Sequence, residues 1–171
     1  MDTAVVHRIR PDAVHFGFGL PPETNRHLQT AAAFVGSGEA ALQALHAARE
    51  SAPEQLPVLI ALYKFHFYRG ETEQAHELVV QTLNESSRQG GFSQDWASLS
   101  PDSADWSDPR GPARVFLYSL KALAFIHLRR NEPTAAEAVL EVLERLDPTD
   151  QVGAEVIRNL LQGLQEESDD G

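Results

Sequence analysis

The sequence predicts an all-α protein built from antiparallel helical hairpins, and three observations carry the prediction. Apolar residues recur at helical spacing, as in Leu59, Leu62, Tyr63 and His66 at i, i+3, i+4 and i+7. Residues that stop helices separate these stretches at Gly36-Ser37-Gly38, Arg69-Gly70-Glu71 and Asn131-Glu132-Pro133. The pattern also repeats along the chain, as expected of hairpins that cannot bury both faces alone.

In order, residues 1–22 carry His7-Arg8-Ile9-Arg10-Pro11 and the run Phe16-Gly17-Phe18-Gly19-Leu20-Pro21-Pro22. Gly and Pro argue against a helix there. Val14, Phe16, Phe18 and Leu20 alternate, which fits an extended arm on the domain; a disordered tail is the other reading. Pro22-Glu23-Thr24 starts a first helix with Leu28, Ala31, Ala32 and Val35 on one face. Ala41, Leu42, Leu45 and Ala48 mark a second, closed by Ser51-Ala52-Pro53. The stretch from Leu56 to Glu85 makes a hairpin around Gly70, with Ala75, Leu78, Val79, Thr82 and Leu83 on its second helix.

Residues 86–113 are rich in Ser, Asp, Gly and Pro and read as one irregular segment. Helical pattern resumes with Val115, Leu117, Leu120, Leu123, Ala124 and His127. It resumes again with Ala136, Val139, Leu140, Leu143 and Leu146, up to Asp147-Pro148. A last helix is expected from about Val152 to Leu164, followed by an acidic tail over 167–171.

The hairpins superpose. Ala41, Ala75 and Ala136 coincide, as do Leu45, Val79 and Leu140, and Leu28, Leu62 and Leu123. Ala41 to Ala75 is 34 residues and Ala75 to Ala136 is 61, one repeat of 34 plus an insertion of 27. This series resembles the tetratricopeptide repeat (TPR) family over roughly residues 23–166. The resemblance implies a solenoid of three hairpins with residues 151–166 as the capping helix. Thr82 and Leu143 depart from the family's second small position, as do Gln29 and Tyr63 from another. The insertion is not a feature of the family. GGFSQDW, ADWSDPRGPAR and LDPTDQVG resemble segments of small bacterial TPR proteins encoded beside nitrogen-fixation genes, which implies a context, such as an assembly or maturation factor, and no mechanism.

Composition narrows the function. Without cysteine there is no disulfide, thiolate metal site or thiol nucleophile. No apolar run reaches membrane-spanning length, and the first residues lack the apolar core of a signal peptide, so a cytoplasmic protein with no membrane partner is expected. A formal net charge of −11 disfavours nucleic acid as a partner. No nucleophile elbow, phosphate loop or zinc-protease motif occurs, and Gly17-x-Gly19 lacks the third glycine and preceding strand of a dinucleotide loop. No enzyme and no cofactor are expected, and the sequence leaves the oligomeric state open.

In TPR arrays the first helix of each pair lines a concave groove. The resemblance places Arg26, Thr30, Ala33 and Phe34, then Ile60, Lys64, Phe67 and Tyr68, then Tyr118, Lys121, Phe125, Leu128 and Arg129 along it. Lys64 and Lys121 are the only lysines in the chain. A basic and aromatic groove on an acidic protein suits an acidic peptide or protein segment; solvated helix ends are the plainer reading of the lysines. The chaperone-binding carboxylate clamp of some family members is not matched, since Thr30 and Ala61 stand where it has Asn. The alternative function is a structural subunit or assembly factor whose groove is filled by its own arm or insertion. His66 and His127 occupy equivalent positions, more in keeping with packed core residues than with a metal pair. Trp96 and Trp106 both lie in the insertion, as loop anchors or as contacts for a partner.

Overall fold

The computed structural model describes residues 20–34 and 37–170. Among these residues there are seven α-helices, two short 3-10 turns and no strand. The helices are α1 (Pro22–Ala33), α2 (Gly38–Ser51), α3 (Leu56–Tyr68), α4 (Thr72–Gly90), α5 (Pro112–Arg129), α6 (Pro133–Leu146) and α7 (Glu155–Asp169). No helix among the described residues is long and apolar enough to cross a membrane. The expected arm over 1–22 lies outside the described residues except for its last three. The chain divides into two compact units, residues 1–61 and 62–171.

In the first unit α1 pairs with α2. Pro22 opens α1 where its missing N–H needs no partner. Leu28 and Ala31 on α1, and Ala41, Ala44, Leu45 and Ala48 on α2, are buried. Four alanines in that set let the two backbones approach closely. The open end of the pair is tied by Thr24 and Ser51. The Ser51 hydroxyl donates to the Ala48 carbonyl (2.9 Å), so the Thr24 hydroxyl donates to Ser51 Oγ (2.8 Å).

The second unit is organised around α5, which packs against α4, α6 and α7. Phe116, Leu117, Leu120, Ala124 and Ile126 on α5 are fully buried, on more than one face of the helix. Ala75 and Ala136 are fully buried on α4 and α6, with Val79 and Leu140 one turn further on.

Two hairpin turns share one geometry. At the end of α3, Gly70 has φ +75°, its N–H bonds the Phe67 carbonyl (3.0 Å) and the Glu71 N–H bonds the His66 carbonyl (3.0 Å). At the end of α5, Asn131 has φ +60°, its N–H bonds the Leu128 carbonyl (3.1 Å) and the Glu132 N–H bonds the His127 carbonyl (2.8 Å). This paired-bond ending needs a left-handed residue, for which Gly and then Asn are favoured. Glu71 and Glu132 then start the next helices, their carbonyls accepting from the N–H groups of Ala75 and Ala136.

The irregular segment is shorter than the Ser-rich sequence suggests, because α4 runs on through Gly90. The Ser86 and Ser87 hydroxyls are buried and donate to the Leu83 carbonyl, so they sit within the helix instead of breaking it. Glu85 reinforces the same turns by accepting from Arg88 and Gln89. After the helix, the Phe92 ring lies over Gly90, where a β-carbon would collide with the ring. Phe92, Trp106 and Phe116 form a three-ring cluster with centroids 5.0–5.9 Å apart. Trp106 is buried and its indole N–H donates to the Ser100 carbonyl (3.0 Å). Arg145 on α6 holds the segment from the other side through the Leu99 and Ala97 carbonyls.

The turn LDPTDQVG between α6 and α7 is built on two carboxylates. Buried Asp147 accepts from the Gln151 and Val152 N–H groups (3.0 Å each). Asp150, with φ +53°, accepts from the Ala154 and Glu155 N–H groups at the start of α7 (2.6 and 3.1 Å). These bonds delay α7 to Glu155, and the helix then extends through Asp169, into the stretch expected as an acidic tail.

Two stability outcomes follow from this packing. Ala75→Leu and Ala136→Leu each lower stability by about 1–3 kcal/mol in denaturant titrations, since neither site has room for added methylenes. A pair of silent substitutions would show that these positions are not at close helix contacts. Trp106→Ala lowers stability by roughly 3–5 kcal/mol through the cavity left beside Phe92 and Phe116; an unchanged melting curve would mean that the ring cluster does not hold the segment.

Candidate functional site

The second unit contains an open cleft of about 400 Å³. Helix α3 contributes Tyr63, Lys64, Phe67 and Tyr68 to one wall. Helix α5 contributes Tyr118, Lys121, Ala122, Phe125 and Ile126, and α7 closes the third side with Val156 and Ile157. Six of the residues singled out from the sequence therefore meet here: Lys64, Phe67, Tyr68, Tyr118, Lys121 and Phe125. Arg129 joins them at one end, its guanidinium 5.3 Å from the Phe125 ring centre and 5.9 Å from that of Phe67. Those two rings are 5.0 Å apart. Arg26 is exposed on α1 and Ile60 half-buried on α3, both in the first unit.

The cations are not equivalent. Lys64 is exposed, and among the described residues neither it nor Arg129 is ion-paired. Lys121 is half-buried, and its ammonium donates to the Val152 carbonyl (2.9 Å). The lysine expected to line the groove freely thus ties α5 to the turn before α7. Tyr68 projects from the rim with 80 % of its surface exposed, and Tyr118 is half exposed opposite. Tyr63 lies buried at the floor, and burial pushes its phenol up to about 12, with a smaller opposing effect from the Ser119 hydroxyl. It stays neutral at any physiological pH.

No residue of 91–111 lines the cleft. Trp106 is buried in the ring cluster as an anchor, and Trp96 is half-buried in a 3-10 turn. Sequence reasoning missed the α7 wall. The available signal was that α7 is apolar on two faces, with Ile157 and Leu161 inward and Val156, Leu160 and Leu164 outward.

His66 and His127 both sit beside the hairpin turns near a glutamate, but only His127 is clasped by a hydrogen bond to its glutamate; His66 Nδ1 is buried without a hydrogen-bond partner among the described residues. His66 Nδ1 is 3.7 Å from Glu71, which also pairs with Arg69 Nε at 2.8 Å. His127 Nδ1 is 2.6 Å from Glu132, which pairs with Arg130 Nε at 3.1 Å. The sequence signal is His-x-x-Arg-(Gly/Asn)-Glu, present twice 61 residues apart. The carboxylate partner lies five residues on, a spacing that no helix face provides and that only the left-handed turn brings close. The His76 ring on α4 stacks edge-on against His127, 5.5 Å away. Among the described residues no group of three or more His, Asp or Glu side chains could hold a metal ion.

The clasp makes stability depend on pH. Glu132 is held below the usual carboxylate range, first by the His127 hydrogen bond and then by the Arg130 charge. His76 is held below 6.5, first by burial and then by the Arg130 and His127 charges. Both folded values lie below the unfolded ones, so in each case the unfolded chain takes up the proton first as pH falls. The His76 contribution is complete above pH 6.5 and is lost as pH drops below it; the Glu132 contribution is complete above pH 4.5 and is lost below that. Melting temperature therefore falls on acidification from neutrality, and His76→Gln removes the upper part of the fall. Identical pH profiles for the wild type and His76→Gln would refute this assignment.

Comparison with known protein families, with curated proteins and with solved structures finds no match for this chain.

Proposed function

We propose that this protein is a non-catalytic interaction module that captures an acidic peptide or protein segment in the cleft of its second unit. The observation that carries the reading is the pairing of Lys64 and Arg129, two cations without an ion partner among the described residues, with the exposed and half-buried rings of Tyr68, Tyr118, Phe67 and Phe125. Rings supply apolar area at low entropy cost, and an Arg stacked on them keeps its outer N–H groups free for a carboxylate. The net charge of −11 opposes an acidic ligand at long range. At physiological ionic strength, charges beyond about 8–10 Å are screened, whereas a contact pair near 4 Å keeps ~1–4 kcal/mol. Local attraction therefore wins once the ligand is seated.

A TPR-type array is the architecture this reading adopts. Its support is the burial of Ala41, Ala75 and Ala136 at coincident positions and the twin turns after α3 and α5.

The test is binding of a fluorescent acidic, aromatic peptide, and capture from lysate, by wild type and by Lys64→Glu/Arg129→Glu. Affinity should fall at least tenfold, about 1.4 kcal/mol. Folding should change by ~0.5 kcal/mol for the exposed lysine and by ~0.5–1 kcal/mol for the stacked arginine. Equal affinity in both proteins would remove the cleft as the binding site.

A further inference from the structure

Helix α7 has more apolar surface than the described residues cover. Ile157 and Leu161 are buried against the unit, yet Val156, Leu160 and Leu164 are 63 %, 46 % and 47 % exposed. The last helix of a stacked helical array ordinarily turns a polar face outward. Gly163 lies on the same outward face, seven residues after Val156 and three after Leu160. A β-carbon there would meet nothing within 4 Å. Glycine is unfavourable in a helix interior, and here it makes no room for any neighbour among the described residues. It leaves a flat place on an apolar stripe that ends at Glu167.

We infer that this stripe pairs with the same stripe of a second copy, antiparallel, and that the acidic last turn of one copy's α7 enters the mouth of the other copy's cleft. This rests on the reading of the cleft as a site for acidic segments, and names such a segment. The stripe Val156, Leu160, Gly163, Glu167 is self-complementary when reversed. Leu160 of one copy falls opposite Gly163 of the other, so a large side chain seats where none projects. Val156 falls opposite Glu167. Val156 and Lys64 line the same cleft, so Glu167 arrives at the mouth that holds an exposed ammonium with no ion partner among the described residues. Both charges and both apolar halves are satisfied twice over, as an isologous contact requires. The pairing also sets the two uses of the cleft in competition, since an acidic peptide and the second copy need the same lysine.

The experiment is sedimentation velocity of the full chain from micromolar to millimolar concentration. The wild type should reach twice the 18.8 kDa chain mass. Gly163→Leu, in a site with open space and so folded by circular dichroism, should remain monomeric. Lys64→Glu should also remain monomeric, and Lys64→Glu/Glu167→Lys should recover the dimer. An acidic aromatic peptide should shift the wild type towards monomer. A wild type that stays monomeric throughout overturns the inference, and persistent peptide binding in that case leaves the cleft reading standing. A dimer indifferent to Gly163→Leu and to the charge swap also overturns it and places the contact elsewhere. If the peptide fails to bind while the Lys64-dependent dimer forms, the general peptide reading fails and the self-pairing stands.

Discussion

The structure of the second unit depends on the burial of α5. Phe116, Leu117, Leu120, Ala124 and Ile126 are all fully enclosed, and these positions point to more than one side of the helix. A helix of this kind cannot be stable with a single neighbour. It needs α4 and α6 beside it, α7 folded back across it, and the ring cluster of Phe92 and Trp106 over its first turns. The other elements can be read as solutions to that one requirement. The long α4 delivers Phe92, and Arg145 on α6 holds the segment that brings Trp106. Asp147 and Asp150 build the turn that lets α7 return.

The cleft is a by-product of the same requirement. Once α7 covers one side of α5, its Val156 and Ile157 stand across from the Phe67 and Tyr68 end of α3, and a gap remains between three helices. Rings of Tyr68 and Tyr118 stand exposed at its rim, and the Lys121 ammonium is tethered to the turn before α7. Lys121 is the instructive case. Its charge suggests a ligand contact, but its ammonium is used to hold the Val152 carbonyl, and so it shapes the cleft more than it serves it. The exposed Lys64 and the ring-stacked Arg129 are the cations with donors to spare.

Much of this was legible in the residues. The all-α class and the buried alanines at 41, 75 and 136 follow from helical periodicity and from small residues recurring at fixed spacing. Six residues of the cleft are among those that the repeat resemblance placed along one groove. What stayed hidden has physical causes. Ser86 and Ser87 look like helix breakers, yet serine in a helix can bond the carbonyl three or four residues back, and burial favours that bond. The α7 wall was missed because a helix with apolar residues on two faces gives no sign of which one its own chain covers. The His–Glu pairs were missed because their spacing of five matches neither helix nor strand and exists only through a left-handed residue at Gly70 and Asn131.

The two turns carry one further step of synthesis. Each places a carboxylate just after a helix C-terminus, where the dipole disfavours it, and then offsets this with an Arg from the preceding turn, joined at the second by His127. The same Glu begins the next helix, where its charge lies at the favourable end of the dipole. One side chain therefore joins the end of one helix to the start of the next. Because Phe67 is one residue after His66 and Arg129 two after His127, fixing these turns also fixes the end of the cleft where the two rings and the guanidinium meet. The turns and the end of the cleft are thus set by related local chemistry, an Arg–Glu ion pair after each helix, with a His127–Glu132 hydrogen bond added at the second. This explains how a cationic, aromatic surface can be maintained on a chain whose overall charge is strongly negative. Glu71 and Glu132, in the turns beside that end, are engaged with Arg69 and with His127 and Arg130, and Arg129 is exposed.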